Sequence, residues 1–226
     1  MEPDRAAGER RGMISYEADA LHAFIAQYNQ ALRPAPILAW VLCLAALLPT
    51  LRRFPGGDRL IGGVLVAAWA WVGIVYQLTY FAAISFLAPV FAALFILQAL
   101  LFGWTGVVRG RLAFRFRPDA FGWAGLALVA LAVSVQPLLA GLAGPGWASI
   151  GIVGIAPDPT VVFTIGLLLL VEGRTPRRLL IIPLLWSLIA GATAWVLNLP
   201  LDLVPPLAGL AGALLILWKN RWQTEA

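Results

Sequence analysis

The residues best suited to binding or chemistry form one short segment, in which a carboxylate lies between two prolines. This segment, Pro157-Asp158-Pro159-Thr160, follows a glycine-rich stretch without charge. A helix is expected to begin here, because Asp favours the position before a helix and Pro fits its first turn. A carboxylate at a helix N-terminus inside a bilayer is typical of substrate sites in transporters. The simpler alternative is that Asp158 only caps a helix that begins in water.

The segment therefore predicts a ligand-binding pocket. We expect this pocket to be polar and to face the outer side of a membrane. Asp202 could join Asp158 there as a second carboxylate, although an N-cap of the following helix is the interpretation we favour for it. The predicted ligand-binding residues are Asp158, Thr160, Gln77, Tyr76 and Asn198.

Residues for metal binding or catalysis are scarce. The chain has a single cysteine, Cys43, and a single histidine, His22. Zinc, iron–sulfur and bis-histidine haem sites each need several such ligands, so no metal and no cofactor is expected. No Gly-Lys-Ser/Thr phosphate loop occurs, and His22 is expected to be an interfacial residue. We predict no catalytic residue and no enzymatic activity.

The elements that must position the pocket residues are membrane-spanning helices. Apolar residues make up 61% of the 226 residues and charged residues 12%, whereas soluble domains carry roughly a quarter charged residues. A span needs about 20 apolar residues, and seven stretches reach or approach that length. The sequence predicts an all-α membrane protein, a bundle of about seven transmembrane helices. The predicted spans are residues 36–51, 60–81, 84–107, 120–140, 157–172, 179–198 and 203–218.

Lysine and arginine are confined to alternate connections between the spans. Basic residues follow spans one, three, five and seven, and the connections after spans two, four and six contain none. Because basic loops are retained in the cytoplasm, the N-terminus is predicted outside and the C-terminus inside. The basic residues that follow these spans are Arg52, Arg53, Arg59, Arg109, Arg111, Arg115, Arg117, Arg174, Arg177, Arg178, Lys219 and Arg221. The other four, Arg5, Arg10, Arg11 and Arg33, precede the first span and would have to be translocated.

The chain ahead of the first span divides into two parts. Residues 1–14 are charged and are predicted to be a disordered tail. Residues 15–35 are predicted to form an N-terminal amphipathic helix on the outer membrane surface, because apolar residues recur there at helical spacing. A lid over an external cavity is the functional alternative. The transmembrane bundle then occupies residues 36–218, and residues 219–226 form a cytoplasmic tail.

The expected partner is the lipid bilayer, and no nucleic acid partner is expected. Arg109, Arg111, Arg115 and Arg117 alternate with apolar residues and could bind anionic lipid headgroups, although topological anchoring also explains them. Small residues four apart, such as Gly63 and Ala67, permit close helix packing, and self-association into a homo-oligomer stays open.

Several short strings occur together along the chain. They include Tyr28-Asn29 before Pro34, Trp69-Ala-Trp71, Phe95-Ile-Leu-Gln98, Pro157-Asp-Pro-Thr160 and Ile182-Pro-Leu-Leu-Trp186. With them the chain resembles an uncharacterised bacterial family of small multi-pass membrane proteins, domain of unknown function 6064. The resemblance implies a protein of the bacterial inner (plasma) membrane and implies no activity. In the family pattern a Cys often stands at Asp158 and a His at Gln77, so no shared chemistry follows for these positions.

Whether such a pocket is present distinguishes two functional expectations. The first is a small-solute or ion permease-like protein with an outward-facing polar cavity, which the Pro-Asp-Pro segment motivates. The alternative is a non-enzymatic membrane scaffold or sensor subunit that acts through helix–helix contacts. A cavity lined by Asp158, Gln77 and Tyr76 would favour transport, whereas a fully packed bundle with an exposed small-residue face would favour assembly.

Overall fold

The computed structural model describes residues 19–143 and 146–225, and every named element within these ranges is a helix. The predicted disordered tail and residues 15–18 of the predicted surface helix lie outside the described residues. The helices are α1 Asp19–Ala31, α2 Ala35–Leu51, α3 Gly57–Ala83, α4 Ala88–Val108, α5 Ala120–Leu142, α6 Pro157–Leu169, α7 Arg178–Val196 and α8 Val204–Glu225.

All seven predicted spans fall on helices, but these helices differ in their ability to cross a bilayer. Within the described ranges, α3, α4, α5 and α7 are long and apolar enough, and α1 with α2 would add a fifth span across a bend of 87°. α6 has only 13 residues, about 20 Å of helix. α8 carries Lys219 and Arg221 in its last turns. The fold is therefore that of an all-α protein with four or five helices suited to a membrane.

α6 is the centre of the bundle. Every residue of α6 except Asp158 is buried, and the helix packs against α5, α7 and α8. A helix that is apolar on all sides is stable only when other apolar groups surround it. Here the neighbouring helices supply that environment, so α6 is held by protein along its whole length.

α5 and α6 cross at two glycines that bring the backbones together. A Cβ atom added at Gly166 would lie 2.9 Å from the carbonyl oxygen of Gly125 and 3.0 Å from the backbone nitrogen of Val129. A Cβ atom at Gly125 would in turn lie 2.9 Å from the carbonyl oxygen of Gly166. Neither contact leaves room for a side chain, so the position of the central helix depends on both glycines.

The connections after α2, α4 and α6, which carry basic residues, meet the last turns of α8 at one end of the bundle. The segment after α4 runs beside the segment after α6, where the Arg115 amide donates to the Leu170 carbonyl oxygen at 2.7 Å. Arg53, after α2, lies 3.0 Å from Glu172. Thr175 donates to the side chain of Asn220, near the end of α8, at 2.9 Å. We call this end, defined by residues 52–56, 109–119, 170–177 and 219–221, the basic end.

The remaining connections lie at the opposite end. Residues 84–87, 146–156 and 197–203 gather there around a cavity, together with α1. Tyr28 of α1 is buried, and its hydroxyl donates to the Ile155 carbonyl oxygen at 2.9 Å. Gln27 and Gln30 on the other side of α1 are exposed. One side of α1 therefore packs on the bundle while the other is free, and we call this the cavity end.

Lys219 closes the C-terminus of α6 at the basic end. It is 7% exposed, and its Nζ donates to the carbonyl oxygens of Leu169 and Val171. The last carbonyl groups of a helix have no partner within it and carry the negative end of its dipole. Burial lowers the pKa of the Lys219 amine to about 8, although the nearby Asp119 opposes this shift.

Replacing Gly166 with Val should separate α5 from α6 and lower the free energy of unfolding. Overpacking of this kind costs about 1–3 kcal/mol, measurable by denaturant unfolding in detergent micelles. The matched control is Gly63→Val, since a Cβ atom at Gly63 has no heavy atom within 4 Å. Equal stability of the two variants would contradict the proposed crossing.

Stability should depend on alkaline pH through Lys219. Because its pKa is about 8 in the fold against 10.5 in solvent, the unfolded chain binds the extra proton between these values. The unfolding free energy of the unmodified protein should therefore rise from pH 8 to pH 10 relative to that of Lys219→Met. Arg221→Met, at an exposed position, is the control and should leave the pH dependence unchanged. A flat or falling difference for Lys219→Met would refute the assignment.

Candidate functional site

The cavity end contains a partly open cavity of about 380 Å³. Its walls come from α1, α3, α4, α5, α6 and α7 and from the connections at residues 84–87, 146–156 and 197–203. A volume of this size is at the lower end of the range for small-molecule pockets. The polar residues that line it are His22, Tyr76, Ser85, Gln136, Ser149, Asp158, Trp186, Thr193 and Asp202.

Asp158 lies in the first turn of α6 and points at α7. The helix begins at Pro157 and its N-cap is Ala156, so Asp158 does not occupy the capping position suggested by the sequence. One carboxylate oxygen instead accepts a hydrogen bond of 2.7 Å from Nε1 of Trp186. A carboxylate in the first turn is also favoured by the positive end of the helix dipole.

Trp186 is held in place by aromatic rings of α4. Phe91 and Phe95 contact it edge to face, with ring centroids 5.4 Å and 5.0 Å away. Such contacts orient the indole as well as burying it. The indole N–H is thereby directed at Asp158 from a rigid wall, and the carboxylate is fixed at the edge of the cavity.

Tyr76 reaches the cavity from a widened part of α3. Residues Val72–Tyr80 form π-helical turns, as do Leu131–Val135 of α5 just before Gln136. π-Helical turns are rare and frequently occur at functional sites. The ring of Tyr76 packs against those of Phe24 and Tyr28 in α1, at 5.7 Å and 5.2 Å. Both widened segments thus place a polar side chain at the cavity.

Asp202 and His22 connect the surface helix with the connection between α7 and α8. His22 Nε2 lies 3.6 Å from a carboxylate oxygen of Asp202. Burial raises the pKa of the Asp202 carboxyl above its ordinary value, and His22 opposes that shift. Asp202 and Asp158 both line this cavity, so the two carboxylates lie in one site.

The structure brings together two of the five predicted ligand-binding residues, Asp158 and Tyr76. Thr160 is buried, and its hydroxyl donates to the Ala156 carbonyl oxygen at 2.6 Å and accepts from the Gly154 amide at 2.8 Å. It therefore shapes the start of α6. Gln77 is fully buried, and neither of its amide atoms has a hydrogen-bond partner among the described residues.

Asn198, the fifth predicted residue, is exposed in the turn after α7. Its φ of 53° lies in the left-handed region, which Asn tolerates better than most residues at a helix end. Asn198 does not line the cavity. The left-handed backbone of this turn explains why an asparagine occurs there, and no ligand contact is needed to explain it.

Besides Asp202, which the sequence offered as a possible second carboxylate, six polar cavity residues were not predicted as site residues: His22, Ser85, Gln136, Ser149, Trp186 and Thr193. The sequence carried a signal for two of them. Gln136 is polar within an apolar span, which indicates a position facing the bundle. His22 adjoins Leu21 and precedes Ile25 by three residues, so these side chains share the inward side of α1, and all three line the cavity.

The predicted headgroup arginines lie at the basic end, and all four are exposed. Arg109 stacks over Trp104 at 4.7 Å, and Arg115 and Arg117 contact Glu172 and Asp119 at 3.7 Å and 3.6 Å. Arg115 and Arg117 also line a second cavity of about 210 Å³ with Lys219. Within the described part of the chain, no three His, Cys, Asp or Glu residues group as metal ligands would.

Comparison with known proteins places the chain in a family. One family model matches residues 18–226, and its description is a family of unknown function, DUF6064. The chain belongs to the DUF6064 family. No curated protein and no solved structure matches it. The description of the DUF6064 family brings no activity, so the function must be argued from the cavity.

In this DUF6064 protein, Trp186→Phe should remove the hydrogen bond to Asp158 while keeping an aromatic ring. Hydrogen bonds to charged groups contribute about 1.5–3 kcal/mol, so unfolding in detergent should become easier by about that amount. Trp195→Phe is the matched control, because Trp195 is 74% exposed. Equal stability of the two variants would show that the bond to Asp158 contributes nothing.

Proposed function

We propose that this chain is a permease-like protein of the bacterial inner membrane, which admits a small solute or ion from the outer side into the cavity. The observation that carries the proposal is the position of Asp158. Its carboxylate lines a partly open cavity at the N-terminus of a buried helix that is about 20 Å long. Short helices that begin inside a bundle are characteristic of transporter binding sites.

The basic connections lie at the end of the bundle opposite the cavity, and this separation supports one orientation in the membrane. In the proposal the basic end faces the cytoplasm and the cavity end faces outward, since basic connections are retained inside. All seven apolar stretches then cross the membrane or lie within the bundle. α6 is too short for a bilayer of about 30 Å, but it needs no lipid contact because protein encloses it.

The surface helix α1 has the position of a lid in this proposal. Leu21, His22 and Ile25 line the cavity from its outer side. The contact between His22 and Asp202 is 3.6 Å long and half-buried, and it joins α1 to the α7–α8 connection. Moving α1 away from the α7–α8 connection to expose the cavity also requires breaking the hydrogen bond from buried Tyr28 to Ile155 and the ring contacts of Phe24 and Tyr28 with Tyr76. In the closed form it lies in the membrane interface with its glutamines outward.

The alternative function, a scaffold or sensor subunit, has one observation in its favour. A groove of about 840 Å³ runs between α2 and α3 and is lined by Gly63 and Ala67. A Cβ atom at Gly63 would have no neighbour within 4 Å, so this small-residue pair is not used within the bundle. Close packing of a partner helix is the usual use of such a pair.

Cysteine accessibility tests the proposed cavity and its orientation together. In a Cys43→Ala background, Ser85→Cys and Ser149→Cys should react with a membrane-impermeant maleimide added outside intact cells, because both residues line the cavity. Ser187→Cys is the matched control and should stay unlabelled, since Ser187 is buried. Arg111→Cys at the basic end should react only in inverted vesicles.

Labelling of Arg111→Cys from outside would overturn the orientation. Failure of both cavity cysteines to react, with Arg111→Cys behaving as expected, would remove the outward-facing cavity and leave the scaffold function as the better account. A reporter fused after residue 221 should be active in the cytoplasm, which checks the same orientation without chemical labelling.

A further inference from the structure

The chemical class of the solute can be argued from the groups that line the cavity. We propose that the cavity binds an organic ammonium ion, with its charged nitrogen between Asp158, Asp202 and Gln136 and its apolar part against aromatic rings. This inference deepens the proposed function and rests on it only for access from outside.

The charge of the cavity favours a cation. Asp158 and Asp202 both line it, and no lysine or arginine among the described residues does. His22 is the one described basic group at the cavity, and it lies beside Asp202. Two ionised carboxylates in a partly dry site repel each other, and a bound cation relieves that repulsion. An anionic solute would add to it.

The hydrogen-bonding groups favour a ligand that donates. The side-chain oxygen of Gln136 is buried without a hydrogen-bond partner among the described residues, and Gln136 lines the cavity. An unpaired buried acceptor costs free energy, which a ligand N–H would recover. The Asp158 carboxylate accepts one bond from Trp186 and has capacity for more, since an ionised carboxylate offers about four acceptor positions. These acceptors suit an ammonium group with several N–H bonds.

The remaining walls favour an organic cation over a bare metal ion. Tyr76, Phe81, Phe91 and Trp186 line the cavity, and aromatic faces attract cations as well as apolar groups. Metal ions prefer several oxygen ligands at short range. The volume of about 380 Å³ also exceeds what a single ion needs, whereas it suits a small organic molecule.

Binding of three related probes tests the charge preference. Phenethylammonium, 2-phenylethanol and 3-phenylpropionate share a phenyl ring and differ in charge. Calorimetry on the purified full chain in detergent at neutral pH should show phenethylammonium binding at least about tenfold more tightly than either other probe. Asp158→Asn should reduce that preference by about tenfold or more, because a desolvated charge pair is lost.

Matched variants keep the result interpretable. Asp202→Asn should also weaken phenethylammonium binding, so the test survives if Asp158→Asn fails to fold. Glu172→Gln removes a carboxylate at the opposite end of the bundle, where Glu172 contacts Arg53, and should leave binding unchanged. Binding of 3-phenylpropionate as tight as that of phenethylammonium, no binding of phenethylammonium, or an unchanged preference in both Asp variants would overturn the inference.

The two proposals can fail separately. If Ser149→Cys is labelled from outside and the probes show no preference for positive charge, the cavity is open and only the ligand class is wrong. If phenethylammonium binds the purified protein but Ser149→Cys resists labelling in cells, the ligand class stands and the outward-facing cavity does not.

Discussion

The burial of a short apolar helix is the constraint on which the rest of this structure depends. α6 is enclosed on all sides, and its ends are the only places where its backbone must find partners outside the helix. At one end Lys219 donates to the carbonyl groups of Leu169 and Val171. At the other end Asp158 lies in the first turn and accepts from Trp186. Opposite charges thus stand at the two ends in the sense that the helix dipole favours.

This arrangement explains why the bundle has two different ends. The basic connections are tied to the C-terminal end of α6 by backbone hydrogen bonds, including that between Arg115 and Leu170. Around the N-terminal end, three connections and α1 join parts of α3, α4, α5 and α7, and a cavity remains between them. The carboxylate that suits the helix dipole also gives that cavity its charge. Structure and candidate site therefore share one residue, Asp158.

Much of the architecture could be predicted from the sequence, because long apolar stretches between charged connections favour helices that are buried or suited to a membrane. All seven apolar stretches are helical, and the distribution of arginines separates connections that the structure places at opposite ends. The rule that a span needs about 20 apolar residues did not predict the number of helices suited to a membrane. That rule assumes contact with lipid, whereas α6 is covered by other helices and can be shorter than the bilayer.

The site was predicted less completely, for geometric reasons. Thr160 is two residues beyond Asp158, and side chains two apart on a helix do not face the same way. Thr160 therefore turns into the core while Asp158 faces the cavity. Tyr76 and Gln77 are adjacent on α3, and neighbouring side chains on a helix also face different ways. The partners of these residues lie far along the chain: Trp186 is 28 positions from Asp158, and such contacts leave no local pattern. Residues 219–226 were predicted to be a tail, but Lys219 is buried against the C-terminus of α6. Because Leu169 lies 50 positions earlier in the sequence, no local pattern indicates this contact.

The π-helical segment that carries Tyr76 has a consequence for how relatives of this protein could diverge. A wide turn accommodates one residue more than an ordinary α-helical turn. Deleting a single position between Val72 and Tyr80 would let the wide turn close to ordinary winding, while the flanking residues keep nearly the same sides of α3, because the wide turn already absorbs the extra residue. Insertions and deletions of one residue in this segment would thus change which side chain stands at the cavity and leave the packing on either side of the segment in place.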